Sequence, residues 1–164
     1  MSKRINIELT DASIKNGIKE LQQYKRWIIE KEAELRSRLA ALGATVASID
    51  FARAIYNGSN DVSVRVDDTG SVAVIYAEGD SVAFIEFGSG IKYGYGHPQA
   101  GEHGMGPGTY PGKGHWDNEK GWWYGHGQHS YGNPPAMAMY DAVQKMTEEL
   151  TRIARETFGA MSRE

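Results

Sequence analysis

The sequence predicts an α+β fold with four parts: a long N-terminal helix, an antiparallel sheet of about four short strands, a long loop and a C-terminal helix. Apolar residues repeat every seven positions near the N-terminus and at spacings of three and four near the C-terminus, which is typical of helices. Between these segments, short alternating runs are separated by glycine turns, which is typical of antiparallel strands. At 164 residues, the whole chain (residues 1–164) is expected to form a single domain.

Residues 11–42 are predicted to form the first helix. Thr10 or Asp11 can cap its start and Gly43 can end it. The heptad seam consists of Ile14, Ile18, Leu21, Ile28, Leu35, Leu39 and Leu42, with Lys25 and Glu32 interrupting its middle. A helix of about 32 residues is long for a domain of this size. Its seam therefore either packs on the protein's own sheet or partly projects and lies along a neighbouring subunit.

Residues 45–87 are predicted to form a β-meander. The strand-like runs are residues 45–56, 62–66, 71–77 and 81–87, with turns at residues 67–70 and 78–80. Alternation places Val74 and Tyr76 on one face, and Ile75 and Ala77 on the other. A sheet that is apolar on both faces needs two covers. One is expected to be a helix, and the other the second helix or another subunit.

Residues 88–133 form the predicted long loop, which is rich in glycine, aromatic residues and histidine. It carries 14 of the 20 glycines and all five histidines. Loops of this length are usually functional or disordered. Because its many aromatic side chains are costly to leave in water, we expect the loop to be mobile in the free protein and packed in its working state.

Residues 134–158 are predicted to form the second helix. Asn133 is a favourable N-cap, Pro134 suits the first turn and Gly159 can end the helix. Its apolar face consists of Ala136, Met139, Val143, Met146, Leu150 and Ile153.

The overall composition argues against several classes of protein. The formal charge is -3 and both signs are mixed along the chain, so no basic patch indicates sequence-specific nucleic-acid binding. There is no cysteine, which excludes disulfides and thiolate chemistry. No apolar run approaches the roughly 20 residues that span a bilayer, and the N-terminus lacks an apolar signal core. We therefore expect a protein made without secretion and without a membrane partner.

The loop histidines raise the possibility of a metal site. His126 and His129 are three residues apart, and His97, His103 and His115 lie in the same loop. Zinc needs three or four converging ligands, and the H-E-x-x-H pattern of zinc proteases is absent from the sequence. A metal-dependent enzyme therefore stays an alternative, although we predict no bound metal.

Other chemistry finds weaker support in the same loop. The glycines at residues 101–114 lack the Ser or Thr and the following helix of a phosphate-binding loop. No G-x-S-x-G nucleophile elbow is present. A sugar- or peptide-binding module that stacks ligands on Trp122 and Trp123 is a further alternative. We predict no catalytic residues and no cofactor.

Four motifs in order resemble a known family. Residues 86–90 (EFGSG) resemble an E-F-G-[TS]-G motif, and His97-Pro98 follows at a familiar distance. Residues 120–124 (KGWWY) resemble a G-W-x-Y element, and residues 132–137 (GNPPAM) resemble the entry to a last helix. Together they make residues 8–158 similar to the small neck and tail-completion proteins of long-tailed bacteriophages. Ser89 stands where the family more often has Thr.

The resemblance implies a structural virion protein that catalyses no reaction. Such proteins form rings, often of six copies, near the head-proximal end of the tail, where they complete the tail or join it to the capsid. The implied partners are other copies of the chain and the neck, connector and tail-tube proteins. The implied location is the virion neck, after assembly from the host cytoplasm. The residues expected to form assembly contacts are Phe87, Gly88, Tyr93, Tyr95, Trp116, Trp122, Trp123, Tyr124 and Tyr131.

Overall fold

The computed structural model describes residues 5–56, 58–90, 92–93, 96–105, 118–124 and 127–159. These residues form a mixed helical and sheet structure with helices near both ends, as predicted. The described strands form two separate antiparallel sheets of two strands each. The prediction of one sheet of about four strands is therefore wrong.

Helix α1 spans Asp11–Arg53, a length of 43 residues or about 64 Å. Thr10 is its N-cap, and the Thr10 side chain accepts a hydrogen bond from the Ser13 N–H at 3.3 Å. The predicted end at Gly43 and the predicted strand at residues 45–56 are both wrong, because the helix continues through them to Arg53.

Packing explains why this β-rich run is helical. The buried residues Ala40, Gly43, Ala47 and Phe51 follow one another at spacings of three and four, so they share one side of the helix. A Cβ added at Gly43 would lie 2.6 Å from Cδ1 of Ile75 and 2.7 Å from Sδ of Met146. Gly43 therefore permits a close approach of neighbouring elements, and burial outweighs local strand propensity.

Strands β1 (Ser63–Asp67) and β2 (Val74–Glu78) form a hairpin against α1. Val64 pairs with Ala77 on the half-buried face, whereas Arg65 pairs with Tyr76 on the outer face. The Arg65 guanidinium lies 5.2 Å from the centre of the Tyr76 ring. The predicted alternation of β2 is confirmed, while its outer face stays exposed to solvent within the described part of the chain.

The predicted strand at residues 81–87 is instead the short helix α2 (Val82–Phe87). Its start is fixed by Asp61, whose carboxylate accepts from the backbone N–H of Asp80 at 2.7 Å and of Ser81 at 3.0 Å. These hydrogen bonds lower the pKa of Asp61 because they favour its charged form. The resulting turn leads directly into helix α2, in which Ile85 is buried.

Helix α3 spans Ala138–Gly159 and runs antiparallel to α1. At its start, Ala138 and Ala142 join Ala47, Phe51 and Ile85 in the buried core. At its end, the Phe158 ring meets the Trp27 ring edge-on at 5.8 Å. The predicted start at residue 134 is wrong, since the helix begins at residue 138. The helix continues through Gly159, the last described residue, so its predicted end there stays a prediction.

The N-terminal part of α1 extends past the described end of its partner helix α3. Residues 11–26 lie beyond the contact between Trp27 and Phe158, and they span about 24 Å. We call this segment the projecting half of α1. Its seam residues Ile14, Ile18 and Leu21 are 41%, 51% and 52% exposed. The seam is therefore half-buried at residues 35–42 and about half-exposed towards the N-terminus, where Ile7 packs over Gly17 on the same side of the helix. None of the described helices is long and apolar enough to cross a membrane.

Candidate functional site

Two short segments tie together the ends of the long loop. The Ser89 N–H donates to the Asn133 carbonyl at 2.9 Å, and the Asn133 N–H donates back to the Ser89 carbonyl at 3.2 Å. The Asn133 side-chain amide also donates to Ser89 Oγ at 3.3 Å. Further along, the Ala136 N–H donates to the Ile85 carbonyl at 2.8 Å. We call residues 85–90 together with residues 132–137 the clasp.

The clasp requires glycine where its two segments cross. Gly132 has a φ of +103°, and a Cβ there would lie 1.9 Å from the Ser89 carbonyl oxygen. Gly88 has a φ of +75°, and a Cβ there would lie 2.8 Å from the Asn133 carbonyl oxygen. Both positions combine a left-handed backbone with backbone atoms that cannot move aside. The glycines of both motifs are therefore needed for the close approach itself.

The buried carboxylate of Glu86 caps helix α3. Its Oε2 accepts from the Met139 N–H at 2.9 Å, and its Oε1 accepts from the Tyr140 N–H at 3.0 Å. A carboxylate at this position satisfies two free N–H groups and complements the positive end of the helix dipole. The predicted capping role of Asn133 is therefore wrong, because the Asn133 side chain is engaged with Ser89 in the clasp.

His97 completes a buried hydrogen-bonded network with Glu86. The Nδ1 atom accepts from the Gln99 N–H at 3.1 Å, so the ring proton must be on Nε2. Nε2 lies 3.3 Å from Oε1 of Glu86 and can donate to it. The ring also packs edge-on against Phe87 at 4.6 Å and Tyr140 at 5.6 Å. Both ring nitrogens are thus used within the fold, which makes His97 a structural group in this arrangement.

A cleft of about 430 Å³ lies beside this network. Its wall is mostly apolar and comes from the hairpin, α2, the start of the loop and α3. Its lining side chains include Val82, Phe87, His103, Met139, Tyr140 and Val143. Since the polar atoms of Glu86 and His97 are already paired, the cleft is suited to receiving apolar side chains.

The described part of the loop also contains a second hairpin. Strands β3 (Trp122–Tyr124) and β4 (Gln128–Ser130) pair antiparallel, with Trp123 opposite His129. The His129 ring meets the rings of Trp123 and Tyr131 edge-on, each at 4.7 Å. Trp123 is 72% exposed and Tyr131 is 54% exposed. We call these three side chains the aromatic face.

The structure separates the predicted assembly residues into distinct environments. Trp122 is only 8% exposed, so it belongs to the protein's own fold, whereas Trp123 and Tyr131 point outward. Gly88 is buried in the clasp, and Phe87 and Tyr93 are half-buried. Tyr124 is the last residue of β3. Tyr95 and Trp116 lie outside the described residues.

The capping role of Glu86 and its pairing with His97 were not anticipated from the sequence. Both residues stand in the quoted motifs, yet nothing local indicates that a carboxylate 52 positions before Ala138 caps the helix there. The one available signal was an acidic residue in an otherwise apolar run, which indicates a buried polar group that needs partners.

Three of the five loop histidines, His97, His103 and His129, are among the described residues. His115 and His126 lie outside the described residues, as does Gly112-Lys113-Gly114. Within the ranges described, no three His, Asp or Glu side chains gather in a way that could hold a metal ion.

Acidic side chains collect at the end of the molecule where α3 begins. The pKa of Asp50 is raised chiefly by burial, and also by the negative charges of Asp141 and Glu86. Arg53 acts in the opposite direction. Asp141 and Glu86 therefore lie close enough to Asp50 for their charges to act on its carboxylate.

Comparisons with protein-family models, curated proteins and solved structures give no match to this chain.

Replacing Glu86 by Gln should destabilise the fold by roughly 2–3 kcal/mol. An amide has one acceptor oxygen, so its NH₂ group would face a buried N–H donor in place of a charged acceptor. Urea unfolding measures the change. Glu78→Gln is the matched control on the exposed outer strand, with an expected change below about 1 kcal/mol. Equal stability of the two variants would show that Glu86 does not fix the helix start.

Replacing Gly132 by Ala should open the clasp. The added methyl group would overlap the Ser89 carbonyl, and the φ of +103° adds strain. Gly127→Ala is a matched control, because its φ is +81° but no described atom lies within 4 Å of the added Cβ. We expect Gly127→Ala to cost only about 1 kcal/mol, and Gly132→Ala several-fold more by thermal unfolding. Similar melting temperatures would contradict the steric role of Gly132.

Proposed function

We propose that this chain is a structural subunit of a tailed-bacteriophage virion that acts in tail completion or head–tail joining, as one copy in a ring. The observation that carries the proposal is the half-exposed apolar stripe on the projecting half of α1. Ile14, Ile18 and Leu21 stand about half-exposed on one side of a helix. Contiguous apolar surface of this kind marks an interaction site, and a ring subunit needs such sites on two sides.

The clasp supports the same proposal. Two of the motifs that resemble the neck and tail-completion family, residues 86–90 and 132–137, contact each other as the two sides of the clasp. The clasp anchors the loop on the rigid core, so that the aromatic face is presented from a fixed base. Exposed Trp and Tyr side chains are frequent anchors at protein interfaces. The proposed partners are further copies of the chain and the connector and tail-tube proteins at the neck.

Electron microscopy of phage lysates made with and without this gene tests the proposal directly. Loss of the protein should leave filled heads beside unattached tails, or tails of abnormal length. Normal infectious particles in its absence would overturn the proposed role.

The aromatic face also favours a second candidate function, the binding of a sugar or a peptide. Trp123, at 72% exposure, could stack on a sugar ring or a peptide side chain. Ligand should then quench tryptophan fluorescence. A flat titration across a panel of sugars and peptides would remove this candidate.

Replacing Trp123 by Ala should impair assembly without weakening the fold. The exposed ring contributes little to the isolated protein, so we expect a change in unfolding free energy of about 0.5 kcal/mol or less. Trp122→Ala is the informative contrast, since truncation of this buried ring should cost about 3–5 kcal/mol. Denaturant unfolding and counting of assembled particles give the two readouts. A strongly destabilised Trp123→Ala protein would contradict the interface role.

A further inference from the structure

A row of partly exposed apolar side chains extends from the cleft along one flank of α3. Met139 and Val143 line the cleft, and Leu150 lies two turns further along the same side of the helix. Val143 is 52% exposed and Leu150 is 43% exposed. From Met139 to Leu150 the helix rises about 17 Å. We call the cleft and this flank together the α3 groove.

The projecting half of α1 offers a surface of matching length and chemistry. Its stripe consists of Ile14, Ile18 and Leu21, and Ile28 continues the stripe one residue past Trp27; each of the four side chains is at least 39% exposed. The distance from Ile14 to Ile28 is about 21 Å along the helix. Apolar anchors at such spacings are how an amphipathic helix lies in a groove.

The stripe cannot reach the groove of its own chain. The projecting half begins beyond Trp27, which packs against Phe158 at the C-terminal end of α3. The cleft lies at the opposite end of α3, beside Met139 and Tyr140. Because α1 is one continuous helix, its N-terminal part points away from that end. The groove can receive this stripe only from another molecule.

The charges around the two surfaces are complementary. The projecting half carries the exposed side chains Lys15, Lys19, Lys25 and Arg26 against two acids, Asp11 and Glu20.

The cleft instead has acidic surroundings. The exposed acids Glu102 and Asp141 each adjoin a lining residue in the chain. Glu86 also lines the cleft but is buried and hydrogen-bonded, and Glu78 adjoins a lining residue but is paired with Arg65. Lys145 also adjoins a lining residue, but its ammonium group is paired with Glu148 and Glu149. Pairing two projecting halves with each other would bring like charges together, whereas docking into the groove brings opposite charges together.

From these observations we infer that the projecting half of α1 in one copy of the chain docks into the α3 groove of a second copy. This inference rests on the proposed role as a subunit of a multi-copy assembly, and it names the contact between subunits. The contact is head-to-tail, since each copy offers a stripe at one end and a groove at the other. Contacts of this type close into a ring when the rotation between subunits allows it.

Two single variants, one on the stripe and one in the groove, distinguish this contact from self-association through other surfaces. Ile18→Asp places a charge on the stripe, and Val143→Asp places one in the groove. Val72→Asp is the control, because Val72 is 66% exposed on the turn before β2 and belongs to neither surface. Circular dichroism of each variant establishes that it is folded.

Native mass spectrometry and sedimentation then report self-association. We expect the wild type and the control to self-associate, and each of the two variants to associate at least about tenfold more weakly. An equal mixture of Ile18→Asp and Val143→Asp should form one-to-one dimers, because one intact groove and one intact stripe remain. A monomeric wild type, unimpaired association of either variant alone, or a mixture without dimers would each overturn the inference.

Cross-linking gives a readout that does not depend on a charged substitution. The chain has no cysteine, so Ile18→Cys and Val143→Cys each introduce a single thiol. A short bis-maleimide should link a tagged Ile18→Cys copy to an untagged Val143→Cys copy, and should not link Val72→Cys to either. Absence of the mixed product would contradict the contact. The lysate experiment tests the neck role separately, since that role can hold even if the subunits meet through other surfaces.

Discussion

The rest of the structure depends on one buried carboxylate. Glu86 lies in the last turn of the short helix α2, caps the start of α3 through two backbone N–H groups and is within hydrogen-bonding distance of the His97 ring. A buried charge is tolerated only when its acceptor oxygens are satisfied. Glu86 therefore fixes the positions of α2, α3 and the first turn of the long loop relative to one another.

The clasp extends this constraint to the loop. With Ser89 and Asn133 paired, the chain leaves the core and returns to it at the same place. The described loop segments pack back onto that base, where Trp122 approaches Gly90 closely and leaves Trp123 facing solvent. A rigid base with an exposed aromatic face, and a projecting helix at the other end of the molecule, are features that suit the proposed subunit of an assembly.

Some elements could be predicted from the sequence because their signals are local. The start of α1 follows from Thr10, whose side chain caps the helix. Strand β2 follows from its alternation, with Ile75 facing inward and Tyr76 outward. The motif at residues 86–90 could also be singled out, although its pairing with residues 132–137 could not.

Where local propensity and tertiary packing disagree, only the tertiary structure decides. Residues 45–53 are rich in β-branched and aromatic side chains, yet burial of Ala47 and Phe51 against α3 makes them helical. Residues 82–87 alternate like a strand, yet hydrogen bonds from the preceding turn to Asp61 start a helix. The sequence by itself determined that two helices flank short strands and a glycine-rich loop, because periodicity and caps act over a few residues. The partners of Glu86, the burial of Trp122 and the exposure of the α1 stripe depend on contacts between residues far apart in the chain, which local patterns do not encode.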